Sequence, residues 1–248
     1  MGDEPEAKGA FPPTRGSAVV AARSGDAVER RIGLERIAAA YWKPVFKLLR
    51  VRWNKSREDA EELTQEFFAR MIEKDFLAGY DPAKGRLRTY LRTCVDAVAM
   101  NDARDAGRLK RGGDTQLVSL DFEMAEGELK RGGPAAPGRS DDLFEQEWVR
   151  SLLALALDRL RTECEARGKT TPYRLFERYD VAELDPRPTY AQLASELGIA
   201  STDVTNHLAW ARREFRRIVL DTLRDMTASE EEFRREARAL LGIAIERE

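Results

Sequence analysis

Apolar residues recur along the chain at steps of three and four, the period of a helix, and no segment sustains the alternation of a strand. From Asp26 onward, Val28, Ile32, Ile37 and Tyr41 form one such stripe. Asp26 stands where a helix cap belongs, with Glu29 three positions on. Pro44 is expected to end this helix and open the next, which runs to about Trp53. Ser56-Arg57-Glu58-Asp59 reads as a capping box. Behind it Ala60, Leu63, Thr64, Phe67, Phe68, Met71 and Ile72 mark one face of a long helix. A turn at Asp81-Pro82 and Gly85 precedes a second full stripe: Leu87, Tyr90, Leu91, Cys94, Val95, Val98 and Ala99.

These stripes divide the chain into five parts. Residues 1–25, rich in Gly, Pro and small side chains, read as a mobile tail. Residues 26–106 read as a helical bundle. Residues 107–141, with Gly112-Gly113, Gly132-Gly133 and Pro134-Ala135-Ala136-Pro137-Gly138, read as a linker, flexible over much of its length. Helical patterning resumes over 142–220, where Phe144, Trp148, Leu152, Leu155 and Leu160 form a buried face. Residues 221–248 form an acidic C-terminal extension, its helix capped near Ser229 and striped by Phe233, Ala237 and Leu240. The fold class is all-α: two small helical domains joined by a flexible linker, with no internal repeat.

The second domain holds the most informative local pattern. Thr189 caps a short helix carrying Leu193, Ala194 and Leu197. Gly198 ends it, Ile199 plugs the turn, and a second helix starts near Ser201. Helix, glycine turn and helix form the pattern of a DNA-binding helix-turn-helix. Val204, Leu208, Ala211, Phe215 and Ile218 define the buried side of the second helix. Thr202, Asn206, Ala209 and Arg213 lie opposite, flanked by Asp203, Thr205 and Trp210. Thr, Asn and Arg suit base edges and phosphates, and Arg212, Arg216 and Arg217 add attraction for the backbone. The alternative is a structural helix pair that never meets DNA.

Charge and chemistry narrow the functional classes. Charged residues make up 35% of the 248 positions, yet the net charge is −2, so any nucleic-acid contact must rest on local basic patches. Cys94 and Cys164 stand apart, without a C-x-x-C pair, which argues against zinc and against a disulfide framework. The one histidine, His207, borders a packing face, and there is no phosphate-binding glycine loop, so an enzyme is not expected. No cofactor is expected, and no apolar run near 18 residues suggests a membrane span or leader, which points to the cytoplasm.

Taken together, these segments resemble the extracytoplasmic-function (ECF) type of RNA polymerase sigma factor. Asp59-Ala60-Glu61-Glu62-Leu63-Thr64-Gln65-Glu66-Phe67-Phe68 resembles the D-A-E-D-L-x-Q-E-x-F motif of sigma region 2. Asp81-Pro82 through Gly85-Arg86-Leu87-Arg88-Thr89-Tyr90-Leu91 is similar to D-P-x-x-G-x-F-R-x-[WF]-L. Lys110-Arg111-Gly112-Gly113 and Val118-Ser119-Leu120-Asp121 resemble the K-R-G-G and L-S-L-D linker of a subgroup, and the helix-turn-helix takes the place of region 4.

The resemblance implies that Asp59, Glu62, Gln65 and Glu66 dock on the clamp of core RNA polymerase. It implies that Arg88, Arg92, Asn101, Arg104, Arg108, Lys110 and Arg111 contact and melt promoter DNA, with Thr202, Thr205, Asn206, Trp210 and Arg213 reading its upstream element. An anti-sigma or other regulatory protein is a further candidate partner. Departures from the pattern run one way: Asp96, Asp102 and Asp105 lie on the helix meant to meet phosphates, and Thr205, Asn206 and His207 stand where family members usually carry Lys or Arg. A sigma-like regulator with weakened promoter recognition is therefore the second reading. A helix-turn-helix regulator that never docks on polymerase is the third.

Overall fold

The structure, a computed structural model, describes residues 17–73, 76–105, 120–131 and 140–242. The described residues form ten α-helices and no strand.

Helix α2 (Ala27–Val51) is the axis of the molecule. Asp26 caps it as expected, its carboxylate accepting the Glu29 N–H at 2.8 Å. Two expectations fail here. The helix runs straight through Pro44, which is buried within it. An interior proline costs a helix about 3 kcal/mol. Here that cost is set against an apolar face on both sides of it: Leu34, Ile37, Ala38 and Tyr41 before, Val45, Phe46, Leu48 and Leu49 after. The stripe also starts later than its periodicity suggests, because Val28 and Ile32 are exposed while Ile37 and Tyr41 are buried.

Helices α3 (Arg57–Glu73) and α4 (Leu87–Asp105) pack against α2 through the faces anticipated for them. Ala60, Leu63, Thr64, Phe67, Phe68 and Met71 are buried on α3; Leu87, Leu91, Val95, Val98 and Ala99 are buried on α4. The 17–25 stretch, expected as tail, holds a short helix α1 (Ala18–Ala21) that is packed rather than mobile. Gly33 lets it approach, since a β-carbon there would fall within 2.8 Å of backbone atoms of Ala18, Ala21 and Ala22.

The expected division into two bundles is not what the core shows. Within the stretch read as linker, Phe122–Arg131 form helix α5, whose Phe122 packs edge-on to Trp42 at 5.6 Å and beside Phe46 at 5.2 Å. Helix α6 (Ser140–Ala166) lies along α2 and stacks Phe144 and Trp148 on Tyr41 at 6.4 and 6.1 Å. Helix α9 (Ser201–Asp225) packs on α6, and α10 (Glu230–Leu241) adds Phe233 and Ala237, so one continuous core joins the first and last of the described helices. A satellite core of Leu175, Leu193, Ala194, Val204 and Leu208 holds α7 (Thr170–Phe176), α8 (Tyr190–Leu197) and the first turns of α9 together. The Gly112-Gly113, Gly132-Gly133 and Pro134–Gly138 punctuation lies outside the described residues.

Candidate functional site

The first candidate surface is the outer face of α3. Ser56 starts the helix by accepting the Asp59 N–H at 3.0 Å, and its hydroxyl donates back to the Asp59 carboxylate at 2.8 Å. Asp59 is thus half-buried and part of the cap. With the apolar residues of α3 turned inward, Glu62 and Gln65 are exposed and Glu66 half-exposed, paired with Arg70 one turn on. The three polar side chains form a contiguous acidic face that a partner can reach without any rearrangement of the core.

The second surface, the start of α4, is arranged in the opposite way. Arg88 was expected to face nucleic acid; instead it is 3% exposed. Its Nε meets Glu145 of α6, its Nη1 donates to Glu236 of α10, and its guanidinium lies 4.6 Å from the centre of the Trp148 ring. Arg86 reaches the same Glu236 carboxylate at 3.1 Å. Beside it Glu232 accepts from the Tyr80 hydroxyl at 2.5 Å, from the Leu87 N–H at the head of α4 at 3.3 Å, and from Ala228 N–H at 2.7 Å. Both glutamates are 2% exposed. Burial drives the Tyr80 hydroxyl far above its ordinary pKa, and the adjoining Glu232 carboxylate pushes the same way. Burial does the same to Tyr41, against an opposing pull from Arg88.

Sequence reasoning missed Glu232 and Glu236. The available signal was their spacing of four, each one position before the stripe residues Phe233 and Ala237, which places two acids at the edge of an apolar face.

Further along α4, Asn101 is exposed, and Arg92 is half-buried and already engaged within the molecule. The side chain of Arg104, and all of Arg108, Lys110 and Arg111, lie outside the described residues. Two acidic residues of this helix, Asp96 and Asp102, serve the fold. Asp96 accepts from Trp53 Nε1 at 2.9 Å and pairs with Arg52, and Asp102 pairs with Lys55 at 2.6 Å. These contacts tie α4 to the end of α2, so the two charges are compensated within the molecule; the Asp105 side chain is outside the described residues.

The third surface is the α8–α9 pair. Thr189 and Gln192 form a reciprocal capping box on α8, and Gly198 closes the helix at φ 65°, ψ 36°, a left-handed conformation that favours glycine. The turn ends at Ala200, and α9 begins at Ser201. Thr202, Thr205, Asn206 and Arg213 are exposed, as their helical positions require. Trp210 differs from expectation: it is half-buried and packs against the main core rather than standing on a solvent face. Of the arginines expected to attract phosphates, Arg212 is held bidentate by Asp180 at 2.8 and 3.0 Å. Arg217 is held by Glu163 at 2.7 Å and Asp221 at 2.9 Å. Arg213 and Arg216 are exposed and make no ion pair within the described residues, so they are cations this helix offers outward, beside the exposed Asp203 of its first turn.

Among the described residues no group of His, Cys, Asp and Glu could hold a metal ion, and no helix is long and apolar enough to cross a membrane. Cys94 and Cys164 are free thiols, both raised above the ordinary thiol range by burial, which disfavours the reactive thiolate.

Residues 38–109, less than a third of the chain, match the family model described as Sigma-70 region 2. That segment contains most of α2, all of α3 and all of α4, and therefore both the open face and the covered one. The match concerns that segment alone. No curated protein and no solved structure matches the chain.

Proposed function

We propose that this chain is an ECF-type sigma factor that binds core RNA polymerase through the outer face of α3 and directs promoter recognition and opening. The observation that carries the proposal is the exposure of Glu62, Gln65 and Glu66 on a helix inside the segment that matches Sigma-70 region 2. An exposed polar face on a helix whose large apolar residues turn inward is what a docking surface needs. In this reading α4 and the residues after it engage the downstream promoter element. The outward face of α9, with Thr202, Thr205, Asn206 and Arg213, reads the upstream one in the major groove. The chemistry is binding and strand separation, without catalysis by the chain itself.

A second reading, a sigma-like regulator with weak promoter binding of its own, is favoured by one observation. Arg88 is buried beneath two other helices, and Arg212 and Arg217 are occupied by internal carboxylates. In this conformation the chain presents its polymerase face more fully than its DNA faces.

Both readings share one test. Gln65→Ala with Glu66→Ala is expected to keep full helicity and lose co-elution with core polymerase in size-exclusion chromatography, because both side chains point away from the core. Retained co-elution by the folded variant refutes the α3 assignment. Run-off transcription with core polymerase then separates the readings. Discrete new start sites establish a working sigma factor; co-elution without new starts establishes the regulator.

A further inference from the structure

We infer that α10 is an acidic latch that stands in for a nucleic-acid backbone: Glu232 and Glu236 occupy a donor-lined cleft at the start of α4 whose competing ligand is the phosphodiester of a DNA strand. The inference rests on the reading of α4 as a promoter-facing helix.

Three hydrogen-bond donors and one further cation converge on this cleft from the α4 side: the Tyr80 hydroxyl, the Leu87 N–H and Arg88 Nη1 donate, and Arg86 forms an ion pair at 3.1 Å. The Leu87 N–H belongs to the first turn of a 19-residue helix, where unsatisfied amides and the helix dipole favour an anion. Two arginines beside such an end match the geometry of phosphate oxygens. In the structure both anionic places are filled from one element, α10, by side chains four residues apart on one face.

The remainder of α10 is suited to leave. Its fully buried apolar residues are Phe233 and Ala237, with Leu240 and Leu241 partly buried against the same core. Glu231, Arg235 and Arg238 are exposed, and α10 follows α9 through the short connection 226–229. A terminal helix with two fully buried apolar side chains opens more readily than the surrounding core, provided a competing anion takes over the buried charges that Glu232 and Glu236 now satisfy. Of the two covered cations, Arg88 is one that the resemblance in the sequence assigns to DNA. Closure by α10 therefore weakens DNA binding, and DNA binding expels α10. Glu145 and Trp148 of α6 keep Arg88 positioned on its other side when α10 departs.

The test compares the full chain with Glu232→Ala/Glu236→Ala, using fluorescence anisotropy of a labelled single-stranded DNA of mixed sequence across a salt series. The variant is expected to bind roughly tenfold more tightly, with the salt slope steeper by roughly 0.7 for each added phosphate contact. Adding Arg86→Ala and Arg88→Ala is expected to remove the gain. A variant that keeps its helicity and binds no more tightly overturns the latch.

Should the variant fail to fold, hydrogen exchange on the unmodified chain decides. Faster exchange along α10 at saturating DNA supports displacement, and unchanged protection with DNA bound overturns it. Absence of DNA binding by any form also overturns it. Core co-elution, followed on the same proteins, keeps the two readings separable: it can be lost while the latch stands, or be retained while the latch falls.

Discussion

Helices α3 and α4 sit side by side in the segment that matches Sigma-70 region 2, and both turn one apolar face toward α2, yet their polar faces meet different fates. On α3, Glu62 and Gln65 stay in water. On α4, Arg88 is buried among Glu145, Glu236 and Trp148, and Arg86 is drawn to the same Glu236. The difference does not lie in the two helices, whose patterns are equally regular. It lies in what comes to cover them. The outer face of α3 keeps Glu62 and Gln65 exposed, whereas α6 and α10 bring carboxylates from much later in the chain onto α4. A helical stripe tells which side of a helix is dry; which of the polar groups on its edges stay wet is decided by distant elements.

The sharpest way to break the comparison is to remove one charge from each side of it. Arg88→Met leaves Glu236 without its buried partner, and loss of one member of such a pair typically costs about 3–5 kcal/mol. Urea denaturation should show that loss, with α10 the first element to lose protection from exchange. Glu66→Ala removes an exposed i, i+4 pair with Arg70 and should change stability by no more than about 0.5 kcal/mol. Equal effects from the two substitutions would erase the distinction between the covered and the open face.

A smaller effect tests whether covering elements matter outside α4. Gly33→Ala would normally gain about 1 kcal/mol of helix propensity. Here the new methyl meets backbone atoms of α1, which cannot rotate aside as a side chain could, and overpacking of that kind costs about 1–3 kcal/mol. The clash wins. The thermal midpoint should fall, with Val19 and its neighbours losing protection. A rise in the midpoint would mean that α1 is readily released.

These contrasts also mark what was legible in the residues alone. The all-α class, both caps at Asp26 and Ser56, the buried faces of α3 and α4, and the Thr189-to-Gly198 frame of α8 could all be read, because each depends on neighbours within a few positions. The exposure of Gln65, Thr202 and Asn206 followed from the same periodicity. What could not be read was long-range. Pro44 inside α2 is tolerated because α6 and α3 reward a continuous helix, and α6, taken as the start of a separate domain, shares a core with α2. Trp210 turned inward because α9 packs on α6 along part of its length. Arg88 looked like a DNA contact because its local pattern is right; its partners lie 57 and 148 positions away, at Glu145 and Glu236.

The smallest expected effect concerns α5, a third covering element, which is held by charges that titrate. Glu126 is kept below the ordinary glutamate range by its hydrogen bond from Arg50. Burial pushes Glu128 upward, but hydrogen bonds from Lys43 and Lys47, with their charges, outweigh it, so its pKa is also lowered. Both carboxylates are thus held below the value they have in the unfolded chain. A depressed folded pKa contributes stability that is fully present above the ordinary glutamate value of about 4.3, and that contribution disappears as pH falls through the lowered folded values. Protection of the α5 amides should therefore be flat above that pH and decline below it. Glu126→Gln with Glu128→Gln should lower the plateau and flatten the decline, since the substituted groups no longer take up a proton. The open face of α3 provides the control. Glu62 lies on no such cover, so Glu62→Gln should leave the acid limb of α5 as it was; an equal flattening would mean that the pH dependence belongs to the whole acidic surface rather than to the helix that hides α2.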